Sequence, residues 1–303
     1  MDSQLTEKDL TSFKKAGQIA AKARDYGKNL IREGHEIVEI LDRVEEKIHS
    51  LGGEIAFPAQ ISVNQIAAHS CDTYEDKNII KSSDIIKLDV GAHVNGFIGD
   101  TATTVNLDGQ YKELLKASEL ALNNALKEIK PGVQTGFIGK TIQETIVNAG
   151  FLPIKNLSGH GLGKYQIHAK PNIPNINIDA SPTIKENMTI AIEPFATTGA
   201  GSIQEGGIAT VFSQMDAKPV RNQITRDVFE RIKTYKQLPF TTRWLTKEFG
   251  IGKTKIALNE LIKMNNIYGH APLVEIKRGM VSQHEHSLIV TSKGKIVTTK
   301  LDD

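Results

Sequence analysis

The 303-residue chain is poor in cysteine and in aromatic side chains. Its single cysteine, Cys71, excludes a disulfide within the chain, and this usage is typical of a reducing compartment. No run of about 18 apolar residues occurs, which argues against a membrane span. The first residues also lack the basic and apolar segments of a secretory signal. We therefore expect a cytoplasmic protein that does not enter a membrane.

The chain also lacks an excess of charge of either sign. Lysine and arginine total 37, aspartate and glutamate total 35, and the net charge is +2. This balance excludes a protein that binds nucleic acid over its whole surface. The hydrophobic content of 39% fits a globular protein whose length allows a large core.

Apolar residues recur at helical spacing in the first fifty residues and again in the middle of the chain. The spacing predicts helices over residues 10–31, 35–49, 111–130 and 135–149. Strands are predicted over residues 84–90, 97–107, 188–193, 207–212 and 286–290, and residues 151–185 are predicted to be rich in loops. Helix blocks mixed with hairpins, rather than a regular βαβ alternation, favour an α+β fold.

Residues 221–278 differ from the rest of the chain in charge. They contain 12 basic and 5 acidic residues, a balance of +7, which leaves −5 for the remainder. Helical patterns near 224–236, 241–249 and 252–266, followed by an apparent β-ribbon over 268–277, resemble a winged helix. Two interpretations stay open: a helical insertion that packs against the main domain, or a nucleic-acid-binding unit.

Asp89 and Asp100 each stand in an apolar strand context, where an isolated carboxylate is costly unless it is paired or binds a metal ion. If Asn95 and Gly96 form a two-residue hairpin loop, Asp89 lies opposite Ala102. Asp100 is then its diagonal neighbour on the same face, roughly 7–8 Å away at the backbone. The alternative is a pair of unrelated turn or edge aspartates.

Further acidic and histidine side chains stand beside strand-like or glycine-rich segments. They are Glu193, Glu285, His160, His69 and His168. Taken singly, each could be a surface or structural residue. Taken together, Asp89, Asp100, Glu193 and Glu285 with His160 make an oxygen-rich set whose four negative charges match two divalent cations. Such ligands favour Mn²⁺, Fe²⁺ or Co²⁺ over a structural zinc, and a pair of these ions can activate water for hydrolysis.

These residues carry a family resemblance. The chain resembles the type II methionine aminopeptidases of the archaeal kind, members of the M24 or pita-bread metallopeptidases. The matching segments are residues 57–58 (FP), 63–64 (VN), 67–69 (AAH), 88–91 (LDVG), 96–101 (GFIGDT), 159–168 (GHGLGKYQIH), 192–195 (IEPF) and 283–286 (QHEH). The resemblance implies a pita-bread catalytic domain over residues 1–213 and 275–303. The N-terminal helices of residues 1–53 belong to it, and a winged-helix-like insertion occupies residues 214–274.

The resemblance also implies the role of each site residue. Two divalent metal ions (Co, Mn or Fe(II), with Zn as a further option) would be held by Asp89 as terminal ligand and by the bridging Asp100 and Glu285. His160 and Glu193 would complete the shell of the second ion, with Glu193 as proton acceptor. The remaining implied roles are His168 at the scissile carbonyl, His69 at the reacting end of the substrate, and Phe57 and Ile167 in the methionine pocket.

The implied reaction removes the N-terminal methionine of nascent polypeptides whose second residue is small. The implied protein is a monomer that makes no membrane contact, and its basic insertion could contact the ribosome transiently. One departure from the family pattern is Ala59-Gln60, where members usually have threonine and glycine. This departure lies at the rim of the pocket.

Two rival interpretations remain. An Xaa-Pro peptidase of the same fold usually carries a large domain before its catalytic part, whereas only about 55 residues precede the core here. A non-catalytic protein that binds RNA or ribosomes would be expected to have lost metal ligands, and this chain has all five. Stoichiometric binding of a divalent ion would distinguish an enzyme from such a protein.

Overall fold

The computed structural model describes residues 5–215 and 217–301. The ends of the predicted catalytic domain and residue 216 of the predicted insertion lie outside the described residues. The helices are α1 (Glu7–Leu30), α2 (Ile37–Ser50), α3 (Lys112–Glu128), α4 (Thr135–Asn148), α5 (Gln223–Lys233), α6 (Thr242–Phe249) and α7 (Ile251–Lys263). In the described part of the chain, no helix has the length and apolar character needed to cross a membrane.

The strands are short and are shared among several antiparallel sheets. Up to residue 174 they are β1 (Glu54–Val63), β2 (Ile66–Ala68), β3 (Ile85–Val94), β4 (Phe97–Asn106), β5 (Leu152–Pro153), β6 (Ser158–Gly163) and β7 (Gln166–Pro174). In the second half they are β8 (Thr189–Ile192), β9 (Phe195–Thr197), β10 (Ile203–Glu205), β11 (Val211–Gln214), β12 (Phe240–Thr241), β13 (Ile267–His270), β14 (Leu273–Glu275), β15 (Val281–Gln283), β16 (His286–Thr291) and β17 (Gly294–Val297).

Two helix-on-sheet layers build the main body. Helices α1 and α2 pack on the sheet β1-β3-β4, and their apolar faces share one core with it. Helices α3 and α4 pack in the same way on the sheet β17-β16-β8-β6-β7. Each helix buries one apolar stripe against one sheet face, which is the arrangement that stabilises amphipathic elements. The α+β prediction is therefore confirmed.

The hairpin of β3 and β4 has the predicted register. Asn95 and Gly96 form its two-residue loop with positive φ at both positions, as a type I′ turn requires. Asp89 pairs with Ala102, and Asp100 pairs with Gly91. The two aspartates are thus diagonal neighbours on one face of the sheet, and this prediction is confirmed.

Residues 151–185, predicted to be rich in loops, contain the strands β5, β6 and β7 as well as loops. The glycine-rich segment forms strand β6, which lies between β7 and β8 in the sheet. A Cβ atom at Gly159 would collide with the Ala191 carbonyl oxygen, and one at Gly161 would collide with that of Lys170. The glycines therefore allow a close approach of neighbouring backbones within a sheet, where sequence patterns associate them with turns.

The segment between β11 and β13 has a core of its own. Helices α5, α6 and α7 pack with the sheet β12-β11-β13, and the three helices confirm the predicted ones. The β-ribbon predicted over residues 268–277 is wrong, because β13 pairs with β11 while β14 pairs with β10 and β2. Pro272 lies between β13 and β14 and lacks an N–H for a ladder. The insertion boundaries, residues 214–274, stay a prediction.

A buried ion pair connects this segment to the main body. Arg243 of α6 is fully buried, and its Nη2 lies 2.6 Å from Glu45 Oε1 of α2. Trp244 Nε1 donates to Glu45 Oε2 at 2.8 Å, and the Ala59 N–H of β1 donates to Glu45 Oε1 at 3.1 Å. Glu45 therefore joins α2, β1 and α6 through one carboxylate.

Candidate active site

The predicted site residues come from many elements that converge on one cleft. Asp89 lies on β3, Asp100 on β4 and His160 on β6, while Glu193 follows β8 and Glu285 stands between β15 and β16. Backbone pairing explains why Glu285 reaches the hairpin, since its N–H donates to the Ala102 carbonyl at 3.0 Å. The structure therefore brings together side chains separated by up to 196 positions (285 − 89) in the chain.

Asp100, His160 and Glu285 form the tightest group. Their nearest ligand atoms all lie within 4.8 Å of one another, and all three side chains are buried. His160 Nε2 lies 3.8 Å from Asp100 Oδ2 and 3.7 Å from Glu193 Oε1. These separations leave room for an ion between the imidazole nitrogen and the carboxylate oxygens.

The other predicted residues line the same cleft, whose volume is 340 Å³. The His168 ring lies edge-on to that of His160, with 4.7 Å between ring centroids. His69 stands at the end of β2 with a φ of 61°, a left-handed conformation that turns the chain at this point. The full set of predicted residues that the structure places here is Phe57, His69, Asp89, Asp100, His160, Ile167, His168, Glu193 and Glu285.

Burial and mutual repulsion dominate the electrostatics of the carboxyl groups. Burial raises the pKa of Asp89 to about 7. Burial, and then the charge of Asp89, raises the pKa of Asp100 well above its usual value. The pKa values of Glu193 and Glu285 are also raised, by burial first and by Asp100 second. Without a cation, the cleft therefore favours protonated carboxyl groups.

The pKa values of the cleft histidines are lowered, in contrast to those of the carboxyl groups. Burial, followed by the nearby His168, lowers the pKa of His160 to about 3. Burial, followed by His270 and His168, lowers the pKa of His69 to about 4. The surrounding protein also lowers the pKa of His168, which stands at the open edge of the cleft. All three imidazoles are neutral at pH 7, and a neutral imidazole can ligate a metal ion or donate one N–H.

The donor set fits divalent cations. The residues that line the cleft, within the described part of the chain, include four carboxylates and no lysine or arginine to neutralise them. Asp89 Oδ1 is buried and has no hydrogen-bond partner among the described residues. Clustered carboxylates are costly unless they bind cations, and oxygen donors with one imidazole suit Mn²⁺, Fe²⁺ or Co²⁺.

Hydrogen bonds from outside the set orient the donors. His160 Nδ1 lies 3.1 Å from the Gly161 carbonyl oxygen, which directs Nε2 toward the carboxylates. Gln283 Nε2 lies 3.4 Å from Glu193 Oε2, and the nearby Gln283 amide opposes the burial that raises the pKa of Asp89. Such partners hold ligating side chains in one geometry.

Sequence reasoning missed several residues of the cleft. Gln283 was placed only inside a matching segment, with no role. His270 of β13 faces His69 with ring centroids 5.5 Å apart, and its Nε2 lies 2.8 Å from Ser213 Oγ. No local pattern marks His270. It stands in the basic segment, whose predicted packing against the main domain identifies no single cleft residue. Gln60 was noted only as a departure at the pocket rim, and it lines the cleft as well.

Comparison with known proteins identifies relatives of the chain. The model of metallopeptidase family M24 matches residues 11–215. The chain is 42% identical over 286 residues to a methionine aminopeptidase of Methanocaldococcus jannaschii, covering 94% of this chain and 96% of the relative. It is 40% identical over 301 residues to one of Archaeoglobus fulgidus, covering 99% and 100%. The crystal structure of a Thermotoga maritima methionine aminopeptidase has the same fold, with a TM-score of 0.72, 24% identity and coverage of 99% and 100%.

Proposed function

The chain belongs to metallopeptidase family M24 as a methionine aminopeptidase, and we propose that it removes N-terminal methionine when the second residue is small, at a centre of two divalent metal ions. The observation that carries the proposal is the convergence of four carboxylates and His160 in one cleft without a basic side chain, among the residues described. The near full-length similarity to methionine aminopeptidases supports the choice of substrate.

Each of the five donors has a proposed place around the metal ions. Asp100 and Glu285, the two most buried of the four cleft carboxylates, would each hold both ions, and Asp89 would be a terminal ligand of one of them. His160 and Glu193, whose Nε2 and Oε1 atoms are 3.7 Å apart, complete the shell of the other. The ions, of Mn, Fe(II), Co or Zn, supply Lewis-acid activation of water and of the scissile carbonyl when bound.

The protein's own side chains perform the remaining steps. Glu193 would take the proton from the attacking water, because its carboxylate lines the cleft and its Oε1 lies 3.7 Å from His160 Nε2. His168, neutral at pH 7, donates an N–H toward the scissile carbonyl oxygen, where negative charge develops. His69, which lines the same cleft, contacts the reacting end of the substrate.

Phe57 and Ile167 form the apolar wall that receives the methionine side chain. Both are buried and line the cleft. An unbranched thioether packs well against such a wall. The neighbouring His69 and His270 rings narrow the space for the second residue, and this is the proposed basis for a preference for small residues.

Peptide hydrolysis tests the proposal. Met-Ala and Met-Lys peptides of equal length are compared under anaerobic conditions with Mn²⁺, Fe²⁺, Co²⁺ and Zn²⁺. We expect cleavage of the Met-Ala peptide with at least one metal, and loss of cleavage when the metal is chelated. The Met-Lys peptide should be cleaved at least about a hundredfold less efficiently, because a steric wall discriminates strongly.

Two controls make the result specific. An Xaa-Pro dipeptide should not be hydrolysed, and hydrolysis of it in preference to Met-Ala would overturn the substrate assignment. A His168→Ala variant should retain the metal ions and lose most of its turnover. Full turnover by this variant would contradict the role of His168 at the carbonyl oxygen.

A further inference from the structure

Gln60 is a polar side chain in the cleft that the proposed reaction leaves without a role. It lies on β1 and is only 7% exposed. Its Oε1 atom is buried and has no hydrogen-bond partner within residues 5–215 and 217–301. A buried amide oxygen without a donor costs stability, and a ligand that supplies the donor removes this cost.

The strand register places Gln60 beside Asp89. The two residues pair directly across the β1–β3 ladder. Opposite residues on antiparallel strands point to the same face, with Cβ atoms about 4.5–5.5 Å apart. Asp89 Oδ1 is likewise buried without a partner among the described residues, so two unpaired acceptor oxygens stand on neighbouring strands. Only a cation or an N–H or O–H donor can satisfy such a pair.

We propose that Gln60 binds the N-terminal amine of the substrate by accepting one of its N–H groups. The proposal rests on the proposed aminopeptidase function and deepens it, because it assigns a recognition residue to the group that defines an aminopeptidase substrate. The reacting end of a methionyl peptide offers four polar groups: the amine, the thioether sulfur, the scissile carbonyl oxygen and the N–H of the scissile peptide bond. The sulfur and the carbonyl oxygen are acceptors, and the scissile N–H is a single neutral donor that belongs to the departing residue. The amine has several N–H groups and is the group that we assign to Gln60 Oε1.

The arrangement of the wall supports this choice. Phe57 pairs with Gly91, and its ring lies so close to the Gly91 backbone that a Cβ atom there would collide with it. The apolar wall for the methionine side chain is therefore centred two positions along β3 from Asp89. Gln60 lies next to Asp89, at the polar end of the cleft. This end suits the charged amine of the substrate, whereas the thioether packs against the apolar wall. An N-acylated methionine has fewer N–H groups and no positive charge, so Gln60 selects free N-termini.

Two ligands that differ only in the amine test the proposal. Methionine amide carries the amine, and 4-(methylsulfanyl)butanamide lacks it. Their affinities are measured by titration calorimetry on the metal-loaded wild type, on Gln60→Met and on Gln65→Met. Methionine matches glutamine in length and removes both polar atoms. Gln65, in the turn between β1 and β2, is outside the lining of the cleft and provides a matched control.

We expect Gln60→Met to lower the affinity for methionine amide by about tenfold or more, because a hydrogen bond to a charged group is lost. The affinity of 4-(methylsulfanyl)butanamide should stay the same, and Gln65→Met should change neither ligand. The thermal midpoint of metal-free Gln60→Met should be equal to or higher than that of the wild type, because no hydrogen bond within the protein is lost.

Three outcomes would overturn the proposal. Equal weakening of both ligands would assign Gln60 to the side-chain pocket. A change only in the ratio of methionine amide to norleucine amide would mean that the carboxamide donates to the sulfur. A lower thermal midpoint with unchanged discrimination would make Gln60 structural. A wild type that binds methionine amide with this dependence on Gln60 but cleaves no methionyl peptide would contradict the proposed function and leave the role of Gln60 standing.

Discussion

Arg243 and Glu45 form a buried ion pair whose members are 198 positions apart in the chain, with 2.6 Å between Nη2 and Oε1. Arg243 also pairs with Asp42 on the same helix, α2. The guanidinium is therefore held by two carboxylates at the junction between the helical segment and the main body. Loss of either partner would leave an uncompensated charge in a site closed to water.

We expect Arg243→Met to lower the free energy of unfolding by about 3–5 kcal/mol, because Glu45 stays buried without its cation. Urea denaturation measures the change. Lys255→Met breaks the half-exposed pair with Glu75 and should cost less than about 1 kcal/mol. Equal losses in the two variants would mean that the buried pair contributes no more than a surface contact.

Asp100→Asn should reduce turnover of a Met-Ala peptide below about a tenth of the wild-type value, because the proposed bridging ligand loses its charge and would no longer hold two cations together. Metal analysis should show fewer bound ions per chain, while circular dichroism of the metal-free protein should be unchanged. Asp108→Asn, in the exposed turn after the same hairpin, provides the control. Wild-type turnover by Asp100→Asn would exclude Asp100 as a bridging ligand.

The metal-free protein should lose stability as pH rises. Burial raises the pKa of Asp89 from 3.8 to about 7, and Asp100, Glu193 and Glu285 shift in the same direction. A carboxyl group whose folded-state pKa exceeds its unfolded value stabilises the fold below the unfolded pKa. This contribution disappears as pH rises through the folded pKa. The buried histidines, whose pKa values are lowered from 6.5, act in the opposite sense and gain their full stabilising contribution by about pH 7. The thermal midpoint in chelator should therefore fall as pH rises above about 7.

Added Mn²⁺ should oppose that fall, because the ion binds the charged carboxylates and only the folded protein holds them together. The increase in thermal midpoint on metal addition should be larger at pH 8 than at pH 5. A metal-free midpoint that rises between pH 7 and pH 9 would contradict the assignment of the carboxyl cluster as the dominant titrating group in that range.

Contact of the basic helical segment with ribosomal RNA stays a prediction, and the structure narrows the residues that can test it. Lys255 is paired with Glu75, whereas Lys253 is exposed at the start of α7. Lys253→Ala should weaken ribosome association and reduce its salt dependence by about one counterion, without affecting peptide hydrolysis. Lys293→Ala, in the exposed turn between β16 and β17, should change neither. Equal ribosome association by the wild type, Lys253→Ala and Lys293→Ala would favour a purely structural insertion.

The parts of the site that local rules control could be predicted from the sequence. The loop at Asn95 and Gly96 determines the register of its own hairpin, so the diagonal arrangement of Asp89 and Asp100 follows from a two-residue turn. The helices follow from apolar periodicity in the same way. The family resemblance supplied the remaining donors, whose meeting depends on contacts between distant segments.

Features that depend on tertiary neighbours could not be predicted. The glycines of β6 predict a loop when the sequence is considered alone. Their role in a sheet depends on the close backbones of β7 and β8, which the sequence does not show. The partner strands of β13 and β14 lie more than fifty residues away, so a local ribbon was the simpler interpretation. Gln60 likewise has no distinguishing pattern, since only its pairing with Asp89 and its lack of a donor give it significance.

The spread of the cleft residues along the chain, from Phe57 to Glu285, has a consequence for biosynthesis. While the ribosome is still making the C-terminal part, Asp89, Asp100, His160 and Glu193 have no Glu285 to complete the cluster. β8 also lacks its neighbour β16, which orders the strand before Glu193. The proposed metal site is therefore complete only after Glu285 has left the ribosome and β16 has paired with β8.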